Sequence, residues 1–354
     1  MQRAAWAVVF LLFTAGETCR AQEVRVGILS RYHPRAMELR ASQTETVVVR
    51  IADRNLVLVP DTARDKAEIA VASGELLVTF DGHEYRAREL QAAGRAGAAE
   101  FTLAIPGQVS RRYQGKLAIS VREDELAAMV TMPLETAVAS VVQAESTPGA
   151  SAEALAALAV VARSYFVAAK ARHRDSDFCD LTHCQVLRSP PLLGSPAARA
   201  ARETRGLVLA YREQQFAAMF TRSCSGRTRT PAQDGMTENV YPYFAVICDY
   251  CHSHPSRWTR SVSREDGALL AAKGEAGRLA VDRRLGWNAV PSNSFETREE
   301  GNSVILEGSG QGHGIGLCQR GAEAMAAGGA SFRDILRHYF PNTTLRTLPE
   351  PPGS

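Results

Sequence analysis

The sequence predicts an α+β fold: a β-rich N-terminal region followed by a helix-rich catalytic region, with a substrate groove between parts. Two observations predict it. Between Val24 and Val109 the runs VRVGILS, TVVVRIA, NLVLVP, ELLVTF and FTLAIPG alternate apolar and polar residues and are rich in valine, the pattern of half-buried strands. Past Met132 the apolar spacing changes to that of helices, and the residues able to do chemistry fall there.

In chain order, MQRAAWAVVFLLFTAGETCRA has a basic start at Arg3, an apolar run from Ala4 to Ala15, and the small residues Cys19 and Ala21 before a cut near Ala21 or Gln22. Residues 1–21 therefore read as a secretory signal. The apolar run is shorter than the ~20 residues of a membrane span, and Gly16, Glu17 and Thr18 make a poor lipobox ahead of Cys19. The expected product is a soluble chain exported to the periplasm or cell envelope, with no transmembrane segment after cleavage. Residues 22–110 read as an accessory β-rich region, 111–346 as the catalytic part, and 347–354 as a loose tail.

From Tyr113, YQGKLAISV reads as one more strand. Pro133 then suits the first turn of a helix whose inner face carries Leu134, Val138, Val141 and Val142. Pro148-Gly149 ends it, which leaves Glu145 at the helix end. Ser151 caps a second helix striped by Leu155, Leu158, Ala159, Ala162 and Phe166. Near the C-terminus CQRGAEAMAAGG reads as a helix closed by Gly328-Gly329. Ser331 and Asp334 open another that Pro341 terminates.

The formal charge of +3 includes a contribution from the signal, and no basic block is interleaved with aromatics, so nucleic acid is not an expected partner. The glycine-rich stretch GSGQGHGIGLCQRG matches neither the dinucleotide nor the P-loop spacing at any offset, and the chain holds no H-E-x-x-H or G-x-S-x-G. Cleavage leaves six cysteines, an even number that in an oxidising compartment reads as disulfides. His173, Cys179, His183 and Cys184, in HRDSDFCDLTHCQV, match the ligand types of a tetrahedral zinc site. Spacing alone leaves open a Cys179–Cys184 disulfide beside two solvated histidines. Cys248 and Cys251, in CDYCHSHP, form a C-x-x-C without a surrounding βαβ pattern. The readings there are a second metal site with His252 or His254, a local disulfide, or a pairing with Cys224 or Cys318.

Four ordered segments resemble the stage II sporulation protein D family, whose SpoIID/LytB-type domain occurs in bacterial cell-wall enzymes. YQGKLAISVREDELAAMVTMPLETAVASVVQAES is similar to the family's strand and PLE-x-YL-x-G-V-x-x-E helix, and AEALAALAVVARSYFVAA to its EALKAQAVAARTYAL helix. DLTHCQV is like its D-x-x-x-x-Q-V turn, and GHGIGLCQRGAEAMAAGGASFRDILRHYFPNTTL is like its C-terminal block. The resemblance covers roughly residues 110–346. It departs at Thr136-Ala137, where an aromatic and a leucine are usual, at Ser225 in SCSGRT, and at Cys318 where serine is usual.

The resemblance implies a lytic transglycosylase that cuts peptidoglycan glycan strands lacking stem peptides, with Glu145 as the essential glutamate. It matches Arg163 to the family's helix arginine and His173, Cys179, His183 and Cys184 to the ligands of its zinc-binding members. Such a four-ligand zinc leaves no place for water and would be structural. One carboxylate suffices for this reaction where ordinary glycosidases use two. A helix C-terminus and apolar neighbours are expected to raise the pKa of Glu145. The expected substrate-binding groups are Arg163, on a sugar oxygen or the muramic lactyl carboxylate, with Gln185, His313 and Gln319. The glycines around His313 would let a sugar ring approach the backbone, while His338 and Tyr339 read as packing residues. The second reading is a non-catalytic cell-wall-binding module that stimulates a partner amidase.

Overall fold

The computed structural model describes residues 22–236, 240–272 and 274–349, so the signal expected at 1–21 lies outside the described residues. Eleven strands open the chain: β1 (Glu23–Ile28), β2 (Ala36–Ala41), β3 (Val47–Ile51), β4 (Arg54–Leu58), β5 (Lys66–Ala72), β6 (Glu75–Phe80), β7 (His83–Ala87), β8 (Glu89–Ala93), β9 (Ala99–Ile105), β10 (Val109–Arg122) and β11 (Glu125–Pro133). They pair antiparallel in a curled sheet. In β6 and β9 every second residue is buried, so the sheet has one face on the core and one toward water.

β10 explains the curl. Its first half, Val109–Gly115, pairs with β9, whereas Lys116–Arg122 pairs with β11 and, in part, β8. At the handover a Cβ on Gly115 would lie 2.5 Å from the carbonyl oxygen of Thr131; only glycine lets the strands approach that closely. The boundary expected at 110/111 therefore falls inside one strand. The β-rich region and the start of the catalytic part share a sheet and a core.

Three helices follow: α1 (Leu134–Glu145), α2 (Ala152–Ala168) and α3 (Pro196–Glu203), with Pro133 at the N-cap of α1. Ser151 caps α2 by accepting a hydrogen bond from the Ala154 N–H at 3.3 Å. Between α2 and α3 the short strand β12 (Phe178–Cys179) adds parallel to β1. Every residue of α2 from Ala154 to Phe166 is buried. Leu155, Leu158, Ala159 and Phe166 face the sheet core, and Ala157, Val160 and Val161 face a second core formed with the C-terminal part.

The rest of the chain builds that second core and a small lobe. The lobe has α4 (Asp249–Ser253) before it and contains a three-stranded sheet (Arg257–Ser263, Ser303–Ser309, Phe295–Glu300), α5 (Arg264–Ala268) and α6 (Glu275–Leu285), around Val262, Val281, Val290 and Leu306. Finally α7 (Gln319–Ala327) and α8 (Phe332–Tyr339) pack on α2, the latter opened by the expected Ser331/Asp334 capping box. The strand Thr344–Thr347 pairs with Leu207–Tyr211, and the Leu348 N–H donates to the Gly206 carbonyl at 2.8 Å. The expected loose tail from 347 is thus tied down through Leu348, and residues 350–354 lie outside the described residues. No helix among the described residues is long and apolar enough to cross a membrane.

Arg163 is fully buried in the middle of α2. Its guanidinium donates to Glu135 of α1 twice, at 2.6 and 2.9 Å, and to the carbonyls of Ala201 and Leu207, both at 3.1 Å. Breaking such a pair from one side strands a charge, so Glu135→Ala should cost about 3–5 kcal/mol. The check is denaturant unfolding, in which the double variant Glu135→Leu/Arg163→Met should recover much of that loss.

Candidate functional site

A groove of about 810 Å³ runs between the end of α1 and the C-terminal part, lined by Glu145, Arg222, Tyr250, Trp258, Gln319 and Arg320 among others. Glu145 reaches it because α1 ends there: Ser146 leaves the helix in an extended conformation. The carboxylate accepts a hydrogen bond from the Val186 N–H at 3.1 Å. Its backbone carbonyl accepts from the Arg222 guanidinium at 3.0 Å and from Gln319 Nε2 at 3.2 Å. Arg222 also donates to Gln319 Oε1 at 3.2 Å, which fixes that amide's orientation. Burial raises the pKa of Glu145, against the opposing pull of the Val186 N–H, Arg222 and Arg188.

Four arginines, Arg222, Arg257, Arg260 and Arg320, face two carboxylates in the groove lining, Glu145 and Glu323. Each carboxylate accepts one backbone N–H, Glu323 from Ser151 at 3.0 Å and Glu145 from Val186 at 3.1 Å. With four arginines to two carboxylates the groove lining is electropositive, and Tyr250 and Trp258 supply aromatic surface beside it. Arg320 lies over the Tyr250 ring, 5.6 Å from its centroid. All these groups except Glu145 and Gln319 escaped the sequence reading. Arg222 sits directly before SCSGRT, a segment singled out for another reason, while RWTR at 257–260 carries only a weak alternation signal.

The structure separates the sequence-derived substrate set. Gln319 lies in the groove beside Glu145. Arg163 does not: its guanidinium is spent on Glu135 and backbone carbonyls inside the protein, and burial closes it to any ligand. Gln185 is buried too, donating to the Ala162 carbonyl at 3.3 Å. His313 is not among the residues lining the groove, and its charged neighbours are Glu275, Arg278 and Asp234. Burial lowers its pKa, and its Nδ1 accepts from the Ile315 N–H at 3.0 Å. The glycines beside it are crowded by protein; a Cβ on Gly316 would lie 2.1 Å from the Met219 carbonyl oxygen. They serve the approach of one chain segment to another, correcting the expectation of a sugar. Tyr339 packs as expected, and His338 bonds the Ile247 carbonyl at 2.9 Å.

His173, Cys179, His183 and Cys184 converge, with one donor atom from each lying within 4.8 Å of the others. His173 Nε2 is 3.2 Å and His183 Nδ1 3.6 Å from Cys184 Sγ, and neither cysteine is disulfide-bonded. Hydrogen bonds from Cys179 and from the two histidines hold the Cys184 thiol well below its usual range, as a metal-binding thiolate requires. Two borderline nitrogens and two sulfurs fit zinc. The cluster sits two residues before Val186, so the loop it ties is the one whose N–H holds Glu145.

The family model for SpoIID, described as a stage II sporulation protein, matches residues 122–211. Over this segment the chain carries a SpoIID domain. An uncharacterized protein of Brachyspira hyodysenteriae is 27% identical over 265 residues, covering 64% of this chain and 70% of that protein. The stage II sporulation protein D of Bacillus amyloliquefaciens is 27% identical over 262 residues, covering 59% and 73%. The amidase enhancer of Bacillus subtilis is 38% identical over 61 residues, 17% of this chain and 9% of that protein. The SpoIID match contains Glu145 and the His/Cys cluster, whereas the opposite groove wall, from Arg222 to Arg320, lies beyond it.

Because Arg222 opposes the burial of Glu145, Arg222→Ala should move the Glu145 pKa further up. A carboxyl-carbon NMR titration of the two proteins measures it; an unchanged or lower value would refute this electrostatic assignment.

Proposed function

We propose that this chain is an exported peptidoglycan lytic transglycosylase, cleaving the β-1,4 bond between MurNAc and GlcNAc in glycan strands lacking stem peptides, with Glu145 as general acid and base. The observation that carries this reading is a carboxyl group of raised pKa at a helix end in an arginine-lined groove. The SpoIID match and the similarity to an amidase enhancer are consistent with a cell-wall role.

The chemistry follows from what the groove offers. Glu145, whose pKa is raised by burial, donates its proton to the glycosidic oxygen as the C1–O bond breaks and the muramic ring gains oxocarbenium character. The C6 hydroxyl of the same sugar closes on C1, and the Glu145 carboxylate takes the hydroxyl proton. The acid is regenerated and the product ends in a 1,6-anhydro ring, with no water consumed. Arg222, Arg257, Arg260 and Arg320 supply the positive charge for the lactyl carboxylates of the strand, the role first assigned to Arg163. Tyr250 and Trp258 offer faces against which sugar rings pack.

Zinc held by His173, Cys179, His183 and Cys184 would be structural, bracing the loop that presents the Val186 N–H to Glu145. In the second reading the groove binds glycan without cutting it and the chain stimulates a partner amidase; the relative named an amidase enhancer favours it.

Denuded strands incubated with the protein should yield anhydromuramoyl ends by mass spectrometry. Glu145→Gln should lower the rate by roughly 10²–10⁴, the usual contribution of a general acid, while retaining strand binding. Intact strands with every variant, bound by folded protein, would select the wall-binding reading. The protonated acid starts the reaction and its pKa is raised, so the rate should fall as pH rises through that elevated value. In Arg222→Ala the fall should shift to higher pH. For the zinc site, Cys179→Ser/Cys184→Ser should contain one zinc equivalent fewer per chain than the wild type by elemental analysis; equal contents would remove the assignment.

A further inference from the structure

The four remaining cysteines form a second cluster on the opposite wall of the groove. Cys224, Cys248, Cys251 and Cys318 are each at most 1% exposed. Their sulfurs all lie within 4.8 Å of one another, and Cys251 and Cys318 are 3.6 Å apart. We propose that they bind one zinc ion as a tetrathiolate site that fixes this wall of the groove.

The geometry argues for one ion. Four Zn–S bonds of about 2.3 Å arranged as a tetrahedron place the sulfurs roughly 3.8 Å apart. A disulfide would draw a pair to about 2.05 Å, and no such bond joins these cysteines. An iron–sulfur cubane carries each thiolate on a different iron and spreads the sulfurs more widely. Neither His252 nor His254 belongs to the set: the His254 ring stacks on Tyr250 at 4.8 Å and its Nδ1 lies 3.2 Å from the Tyr250 carbonyl oxygen. This replaces the mixed Cys/His site considered from sequence.

The surroundings suit thiolates. The Cys224 N–H donates to Cys318 Sγ and the Tyr339 hydroxyl to Cys248 Sγ, both at 3.3 Å, and Ser223 Oγ lies 3.6 Å from Cys251 Sγ. Hydrogen-bond donors around the ligands of a metal orient them and disperse their charge. A glycine makes room: a Cβ on Gly321 would lie 2.0 Å from the Tyr339 hydroxyl and 2.5 Å from Cys248 Sγ.

The ligands come from three separate segments of the chain, and each segment carries a groove residue beside a ligand. Arg222 and Ser223 precede Cys224, Tyr250 precedes Cys251, and Gln319 and Arg320 follow Cys318. One ion therefore sets the relative positions of Arg222, Tyr250 and Gln319. Four protein ligands leave no coordination site for water, so its role is structural. This inference is independent of the reaction proposed for the groove.

The test is made on the Cys179→Ser/Cys184→Ser protein, which lacks the thiols of the other cluster. Elemental analysis should find one zinc per chain and no iron, with the four thiols becoming reactive to a thiol reagent only after denaturation with a chelator. Absence of zinc, whether the four cysteines titrate as free thiols or as two disulfides, would overturn the proposal, as would iron in its place. Should that variant fail to fold, zinc-edge X-ray absorption on the wild type decides. With both sites filled the mean ligation is about three sulfurs and one nitrogen, whereas two of each overturns the tetrathiolate.

Discussion

The structure depends on the need to bury α2 on every side. A helix apolar around its circumference cannot lie on a protein surface, and from Ala154 to Phe166 this one exposes almost nothing. The sheet with α1 and α3 covers one side, and α7, α8 and the Leu207–Tyr211 strand cover the other. Its alanines let neighbours come close. The one charge in that buried run, Arg163, forces a precise answer from α1, because a buried guanidinium without a carboxylate would cost several kcal/mol. The Glu135–Arg163 pair thereby fixes how α1 lies on α2, and with it where α1 ends and Glu145 stands.

The groove is the seam between the two layers that cover α2. One wall is the end of α1 with the loop through Val186; the other is assembled from the segments at Arg222, Tyr250 and Gln319. The backbone contacts that join the segments of the second wall are short: Phe220–Thr221 pairs with Leu317–Cys318 for two residues, Ser223 exchanges hydrogen bonds with Gln311, and single N–H groups of Arg320 and Cys248 reach the carbonyls of Arg222 and Gly226. Short pairings of this kind hold a surface weakly unless side chains cross-link it. A sulfur cluster behind one wall and a His/Cys cluster behind the other lie where the backbone is least regular.

Local signals in the sequence were legible where the chemistry is local. Ser151, the Ser331/Asp334 box and Gly328 end or start helices through contacts spanning three or four residues, and all act as read. The six strand segments read from valine-rich alternation are strands, whereas AMELRA, KAEIAVA and ELAAMVTMP escaped because alanine and charge dilute the same alternation. Glu145 was legible as a helix-end acid and Gln319 as its neighbour. Arg163, Gln185 and His313 were misread for a shared reason: a polar side chain looks the same in sequence whether it faces a ligand or a partner inside the protein. What distinguishes them is the partner, Glu135, Ala162 or Ile315, and only the fold supplies it. The arginine wall was invisible because its members come from segments separated by almost a hundred residues.

The position of Glu145 carries a physical argument that the sequence could state only in part. A helix C-terminus presents unpaired carbonyls and partial negative charge, which disfavours a carboxylate. Here the terminal carbonyl of α1 does not remain unpaired: Arg222 and Gln319 cross the seam to cap it, at 3.0 and 3.2 Å. The cap places a positive charge where the helix is most negative, so the helix end can contribute little to raising the pKa, and burial becomes the dominant cause. The same contact joins the two walls. Parting of the walls would therefore break the cap and lessen the burial that raises the Glu145 pKa. The walls that cap α1 are thus also the walls whose packing raises the pKa of its terminal acid.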